Sequence, residues 1–597
     1  MKRLIYTLLL LFPMALSAQV DMIRFSHQGG FYETSFNLSM YCSEGNHIRY
    51  TTNGSTPTAS STLYDSPLFL NASMYSKSNI YTVVNCPSSV YHPVDDVERA
   101  VVIRAAVFDA NEHRISSVVT NSYFIKSLGC DLHGLPVLSI VTDSLALFDY
   151  ETGIFIPGAS YNPADSLTTG NYWNKGREWE REVNVEFYEP DNHGVNQACG
   201  LRIHGGASRW FQQKGMRLYA REEYGKKRFT HRFFETTPMA SFKHLNLHPF
   251  RCSNWLQTGG QDYLSQSLAA DLDIDGLAVR QTVVFINGEY WGIYTLEESA
   301  DERYLEDHYE VSLDEVNILK FWGVPQYGDP EEWREIYRFL GTADLSQPED
   351  SAYVYSHIDV PSFIDYVLFE TFSANLDWPL NNVRIWQPVT GQPFRCIFYD
   401  GDGCFSWYWF EAMDHILNNT VDLRVLNRFL EHDYFCAALY HRYLQLKSSV
   451  LSYSNMKQVL EHYRHIVEGE IEKQSERFHF PYDKEKWLAD MDKADEFLRL
   501  RYSYYEAEWG WTGLNEDIAR LSLSCYPNPT EGRFNLCVVS LTHCESSVEM
   551  FDVMGRKVYA MPVSLQEGEN RFVLDEGLPL GLYLVRVGAT SQRIVIK

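Results

Sequence analysis

The stretch Asp359–Phe405, DVPSFIDYVLFETFSANLDWPLNNVRIWQPVTGQPFRCIFYDGDGCF, decides how this chain is read. Asp359 stands where a helix N-cap belongs, with Pro361 in the first turn. Phe363, Ile364, Val367, Leu368 and Phe372 then recur at helical spacing, which predicts a buried helix ending near Ala374. Pro379 and the pair Asn381-Asn382 rule out continued helix across the next eight residues. Two strands follow, Val383 to Trp386 and Phe394 to Tyr399, separated by a turn-rich segment with Gly391 near its centre. Pairing about Gly391 makes residues whose numbers sum to about 782 face each other, so Asn382 opposes Asp400 with β-carbons roughly 4.5 to 5.5 Å apart. An amide oxygen and a carboxylate so placed can share one hard cation such as Mg²⁺.

Asp377 precedes Asn382 by five positions, the spacing of the aspartate and asparagine in a protein-kinase catalytic loop. Phosphoryl transfer needs these residue types. A carboxylate accepts or orients the acceptor's hydroxyl proton, while an amide and a second carboxylate hold metal against phosphate oxygens. The phrases NLDWPLNNVRIW (375–386) and FRCIFYDGDGCF (394–405) resemble the catalytic loop and metal-binding segment of the spore-coat protein H (CotH) kinase family. The resemblance implies ATP and Mg²⁺ as cofactors, Asp377 as catalytic aspartate, and Asn382, Asp400 and Asp402 as metal ligands. VFINGEYWGIYTLEESADERYL (284–305) is similar to a strand and turn of that family and implies Glu298 on the nucleotide side. GLRIHGGASRWFQQKGMRLYA (200–220) is similar to its nucleotide-side strands and implies Lys214 as a phosphate contact. The chain departs from the family pattern at His204-Gly205-Gly206-Ala207-Ser208, where Arg-Gly-Asn-Ser-Ser is common, and at Asp400-Gly401-Asp402, where Asp-Leu-Asp is commoner. Gly205-Gly206 also reads as a plain turn, Lys214 as a solvated strand lysine, and Glu297-Glu298 as part of an acidic surface run.

Other chemistries lack their signatures. Asp400-Gly401-Asp402-Gly403 fails as an EF-hand because Phe405 occupies the sixth position, where glycine makes the turn. The histidines and cysteines show no zinc-site spacing, and no Gly-x-Ser-x-Gly elbow occurs. A formal charge of −27 argues against a nucleic-acid partner, because phosphate backbones are bound by clustered Lys and Arg.

At 597 residues the chain exceeds a single core, and a multidomain protein is expected. Lys2 and Arg3 before the apolar run Leu4 to Leu16, with small residues at Ala15, Ser17 and Ala18, read as a signal peptide over 1–18. Export permits disulfides, but eleven widely spaced cysteines define no framework. No later run is apolar and long enough to span a bilayer once the signal is removed. Short alternating runs over 19–126 predict a β-sandwich; IRYTTNGSTPT (48–58) resembles the chitobiase/hexosaminidase C-terminal family of immunoglobulin-like modules, in which glycan contact is one option. Residues 127–505 are expected to form an α+β, atypical protein-kinase-like domain, followed by a linker at 506–522. YPNPTEGRFNL (526–536), FDVMGRKVY (551–559) and GLYLVRV (581–587) resemble the C-terminal sorting domain of type IX secretion. That implies a second β-sandwich over 523–597, a secretion machinery as partner, and a secreted or surface-attached protein. The function expected is transfer of phosphate from ATP to a Ser, Thr or Tyr hydroxyl of an exported protein. The alternative is a catalytically silent kinase-like surface protein that binds glycan or host surface.

Overall fold

The computed structural model describes residues 23–510 and 521–597, apart from short stretches at 78, 88–90, 131–133, 252–255, 389–390, 418–422, 541–542, 554–555, 567, 576 and 589. The expected signal peptide and most of the expected linker lie outside the described residues. Among the described residues no helix is long and apolar enough to cross a membrane.

The N-terminal module is built on a five-stranded sheet in which Val101–Phe108 lies between His47–Thr51 and Val119–Ile125. Gly54, in the turn after His47–Thr51, has φ +80, as its Asn-Gly sequence suggests. A Cβ there would lie 2.4 Å from Asn287 Oδ1 and 2.5 Å from the Thr142 carbonyl, so the turn is pressed against the next unit.

That unit is a closed seven-stranded barrel: β1 (Val137–Val141), β2 (Arg181–Tyr188), β3 (Gly194–Ile203), β4 (Met216–Tyr219), β5 (His244–Pro249), β6 (Val279–Ile286) and β7 (Glu289–Glu297). All neighbours are antiparallel except β1 and β6, whose parallel pairing closes the ring from Val137↔Val283 to Ile140↔Ile286. β7 is buried at every residue because its outer face is also covered. Part of that cover is the N-terminal module: its Ala100 and Phe124 share a core with Val137, Val283, Phe285 and Tyr290 of the barrel. Two buried acids stitch the units together. Glu186 of β2 accepts from the Ser122 N–H and hydroxyl. Glu289 at the β6–β7 turn accepts from the Ile80 and Tyr81 N–H groups at 3.0 and 2.9 Å, and Ala100 N–H donates to the Gly288 carbonyl.

The second half is helical with one interleaved four-stranded sheet, containing β8 (Asn317–Lys320), β9 (Val324–Tyr327), β10 (Arg384–Gln387) and β11 (Arg395–Cys396). Strands therefore recur after the first helices. At its centre runs α1 (Val360–Phe372), N-capped by Asp359 and buried from Ser362 to Phe372, as an apolar surface on all sides requires. The buried Arg501, from the helix Lys484–Glu508, donates to the carbonyls of Thr371 and Phe372 and so closes the end of α1. Met456, Leu460, Tyr463 and Val467 form the buried face of a helix that stops at Val467, and Ile471 opens a new one, α2 (Ile471–Phe478).

Glu370 on α1 provides a pH test. Burial, chiefly, raises its carboxyl from an ordinary 4.5 to about 8, although Asn375 Nδ2 donates to it at 2.7 Å and Tyr366 also helps to hold it down. A raised carboxyl favours the folded state fully below pH 4.5, and that contribution is lost as pH rises through about 8. Glu370→Gln should therefore change melting temperature little at pH 5 and raise it progressively toward pH 8, with a slope approaching about 1.4 kcal/mol per pH unit. A pH-independent difference between the two proteins would contradict the buried-acid assignment.

The C-terminal segment forms a three-stranded and a four-stranded antiparallel sheet with one common core, including Phe534, Leu536, Val548, Met550, Val585 and Ile594.

Candidate functional site

α1 delivers the chain into a loop that is pinned from both sides. Asn375 Oδ1 accepts from Asp377 N–H at 3.1 Å, the Asp377 carbonyl accepts from Asn381 N–H at 2.7 Å, and the Leu376 N–H donates to the Gly403 carbonyl. Trp378 is buried edge-on to Tyr366, which fixes the loop while Asp377 stays half-buried at its surface. Ala374, Asn382, Asp400 and Phe405 all have φ between +55 and +61, left-handed conformations that are costly for residues with side chains and that concentrate at functional loops.

The hairpin forms with Ile385 opposite Cys396 and Trp386 opposite Arg395, one residue off the expected register. Asn382 and Asp400 still meet, because each turns left-handed beyond the short ladder: Asn382 Nδ2 donates to the Asp400 carbonyl at 3.2 Å. Gly401 explains the departure from Asp-Leu-Asp. Its N–H donates to Asp262 at 2.7 Å, and a Cβ on it would sit 2.5 Å from the Ser265 Cβ, so only glycine lets this turn lie on the helix Gln261–Ala269.

Asp377, Asn382, Asp400 and Asp402 line one wall of a cleft of about 500 Å³ between the barrel and the helical half. His248, at the end of β5, joins them: ligand atoms of His248, Asp400 and Asp402 lie within 4.8 Å of one another, with His248 Nε2 3.5 Å from Asp400 Oδ1. Glu297 also lines the cleft, and Asp262 is buried behind it. Burial first, and then Asp400 and its acidic neighbours, push the Asp402 carboxyl well up; burial and Asp262 push Glu297 up to about 8. Burial opposes charge on His248, but Asp400, Glu297 and Asp262 outweigh it and raise the imidazole. Four carboxyl groups crowd one histidine, so the buried Asp402 and Glu297 resist ionising beside the others, and the oxygen donors suit a hard divalent cation.

The same cleft also holds a cationic group. Lys320 and Arg384 are directly opposed across β8 and β10, and Arg217 of β4 completes the group. The Arg384 guanidinium is 7% exposed, lies 3.8 Å from the Tyr399 ring centroid, and makes no hydrogen bond or ion pair among the described residues. Burial, then Arg384 and Arg217, lowers the Lys320 ammonium to about 8. Gly205 to Ser208 form the rim beside them.

Two expected contacts do not reach the cleft. Lys214 is fully buried; its Nζ donates to the carbonyls of Arg209 and Phe211 at 2.8 and 2.9 Å and lies over the Tyr172 ring, so it braces the 204–215 loop from inside. Glu298 points to the opposite side from Glu297, accepting from Ala278 N–H at 2.9 Å and pairing with His308 at 2.7 Å. His248, Arg217, Lys320 and Arg384 were missed by sequence reading. Arg384 lies within the quoted loop phrase, but nothing local marks the other three.

Comparison with known proteins gives three family matches: "CotH kinase protein" over residues 201–505, "Fn3 associated" over 37–123, and "Secretion system C-terminal sorting domain" over 524–597. The N-terminal match is thus to an Fn3-associated module, where a chitobiase-like one was expected. No curated protein matches. A crystal structure of dimeric latent PorU from Porphyromonas gingivalis shares 19% identity over 13% of this chain and 9% of that one, with a TM-score of 0.11. The sorting domain marks a secreted or cell-surface protein and implies the secretion machinery as partner. The first match spans half of the chain, over the residues that build the cleft, and the chain belongs to the CotH kinase protein family.

Proposed function

We propose that the chain is an exported, Mg²⁺-dependent kinase that phosphorylates a Ser, Thr or Tyr hydroxyl of another exported protein, with residues 127–505 as an atypical kinase-like domain whose barrel and helical half act as two lobes. In this reading 19–126 is an immunoglobulin-type β-sandwich, 506–522 a linker and 523–597 the sorting domain. One observation carries it: a single cleft holds an acidic cluster fit for a divalent cation and, in the same space, a buried guanidinium with no hydrogen bond or ion pair among the described residues. Metal-bound polyphosphate complements both groups.

Asp400, Asp402 and the Asn382 amide oxygen would hold Mg²⁺, with His248 beside them; the bound ion supplies charge neutralisation on the phosphates. Arg384, Lys320 and Arg217 take the phosphate oxygens. Asp377 receives the acceptor's proton as the hydroxyl oxygen bonds to the terminal phosphorus. The bond from that phosphorus to its bridging oxygen breaks, and the electron pair leaves with the diphosphate.

Arg384→Met tests the pairing. In the absence of ligand the substitution removes a buried charge that has no hydrogen bond or ion pair among the described residues, so melting temperature should stay level or rise. Mg²⁺-ATP affinity, read by calorimetry, should fall about tenfold to a hundredfold, the worth of a charged hydrogen bond. Absence of nucleotide binding by the wild type at millimolar Mg²⁺-ATP would overturn the kinase reading in favour of a surface-binding protein.

A further inference from the structure

A second cavity, of about 600 Å³, lies where the N-terminal module, β7 and α2 meet. Its volume and its place between structural units are those of small-molecule sites, which run to roughly 300 to 1,000 Å³. The cations around it are matched to protein acceptors, with one exception. Lys473 pairs with Glu98 at 2.7 Å and with Glu470. Arg99 donates to the Ser76 carbonyl at 2.8 Å and to Asn79 Oδ1 at 2.7 Å, and contacts Glu289. Arg477 is the exception. It is 2% exposed, its guanidinium lies 4.3 Å from the Trp291 ring centroid and 4.4 Å from that of Phe478, and it makes no hydrogen bond or ion pair among the described residues. Glu289, the carboxylate with most influence on it, is already filled by the Ile80 and Tyr81 N–H groups and Arg99.

A planar guanidinium held in the corner of two rings presents its fork to one anionic group, and a carboxylate matches it with two parallel hydrogen bonds. The rest of the lining excludes a polyanion: Asp95, Asp96, Glu98 and Glu476 face the same space. Glu98 uses Oε2 for Lys473, and its buried Oε1 has no hydrogen-bond partner within contact distance among the described residues, with the Cys130 thiol near the carboxylate, which leaves an acceptor for a donor group of the ligand. Tyr75 and Tyr91 add ring surface. We infer that this cavity binds a small zwitterion of the amino-acid class, with its carboxylate on Arg477, its ammonium toward Glu98 and its side chain against the tyrosines.

The inference is independent of the kinase reading and is tested on the full chain without nucleotide. Phenylalanine, phenethylamine, 3-phenylpropionate and inorganic phosphate are titrated by calorimetry and by thermal shift, where a ligand of the folded state raises melting temperature in proportion to ln(1 + [L]/Kd). Phenylalanine, or a close member of the common amino acids, should bind, with phenethylamine and phosphate silent and 3-phenylpropionate weakened about tenfold or more. Arg477→Met should abolish binding without lowering the ligand-free melting temperature. Glu98→Gln should weaken the amino acid more than 3-phenylpropionate, and it serves as the readout if Arg477→Met does not fold. Absence of binding by every common amino acid at millimolar concentration, binding of phosphate in preference, or unchanged binding in both variants would overturn the assignment.

Discussion

Asp377→Asn is expected to keep Mg²⁺-ATP binding and to lose about 100- to 10,000-fold in phosphate transfer, whereas Asp400→Asn is expected to lose metal-dependent nucleotide binding as well. The difference follows from where the two carboxylates stand. Asp377 lines the cleft from a loop pinned by Asn375, Asn381 and Trp378, and asparagine keeps its shape, so only the group that takes the proton is lost. Asp400 belongs to the cluster with His248 and Asp402, within 4.8 Å of both, and its replacement removes a charge from the cation's donor set. The measurement is paired: calorimetric titration with Mg²⁺-ATP and transfer of labelled γ-phosphate, for wild type and both variants, with folding checked by circular dichroism. Equal transfer rates for Asp377→Asn and wild type would remove Asp377 from the catalytic role.

Deletion of residues 524–597 is expected to abolish delivery to the cell surface while leaving the rest of the protein folded. The segment matched to the sorting domain has a core of its own, drawn from Cys525 to Ile596, and the cores of the barrel and helical half contain none of its residues. Removing a self-contained core costs its neighbours little, so melting of the remainder should shift by no more than about 1 kcal/mol in stability, the scale of a surface change. Cell fractionation and protease shaving read the location. Surface exposure of the truncated protein at the level of the full chain would falsify the sorting assignment.

Local pattern carried α1, the loop after it and the hairpin, because capping, helical spacing and turn residues act over a few positions. It also carried the juxtaposition of Asn382 with Asp400, although through left-handed backbones and not through the ladder. Barrel closure was out of reach: Val137 pairs with Val283 in parallel, and no local signal specifies so distant a partner. The errors at Lys214 and Glu298 have the same origin. A strand pattern tells that neighbours point to opposite sides but not which side faces a cleft, and here Glu297 took the cleft and Lys214 turned inward. His248 entered the acidic cluster from β5, about 150 residues before Asp400 in sequence, a spacing that no ligand motif describes.

The seam between the N-terminal module and the barrel sets a limit on dissecting this protein. A recombinant fragment starting at residue 127 would strip Glu289 of the Ile80, Tyr81 and Arg99 donors and would take Ser122 from Glu186, which keeps Tyr188. The smallest piece that keeps these acids supplied runs from the first described strand to the end of the helix Lys484–Glu508, so the module is better regarded as part of the barrel's foundation than as a bead threaded before it.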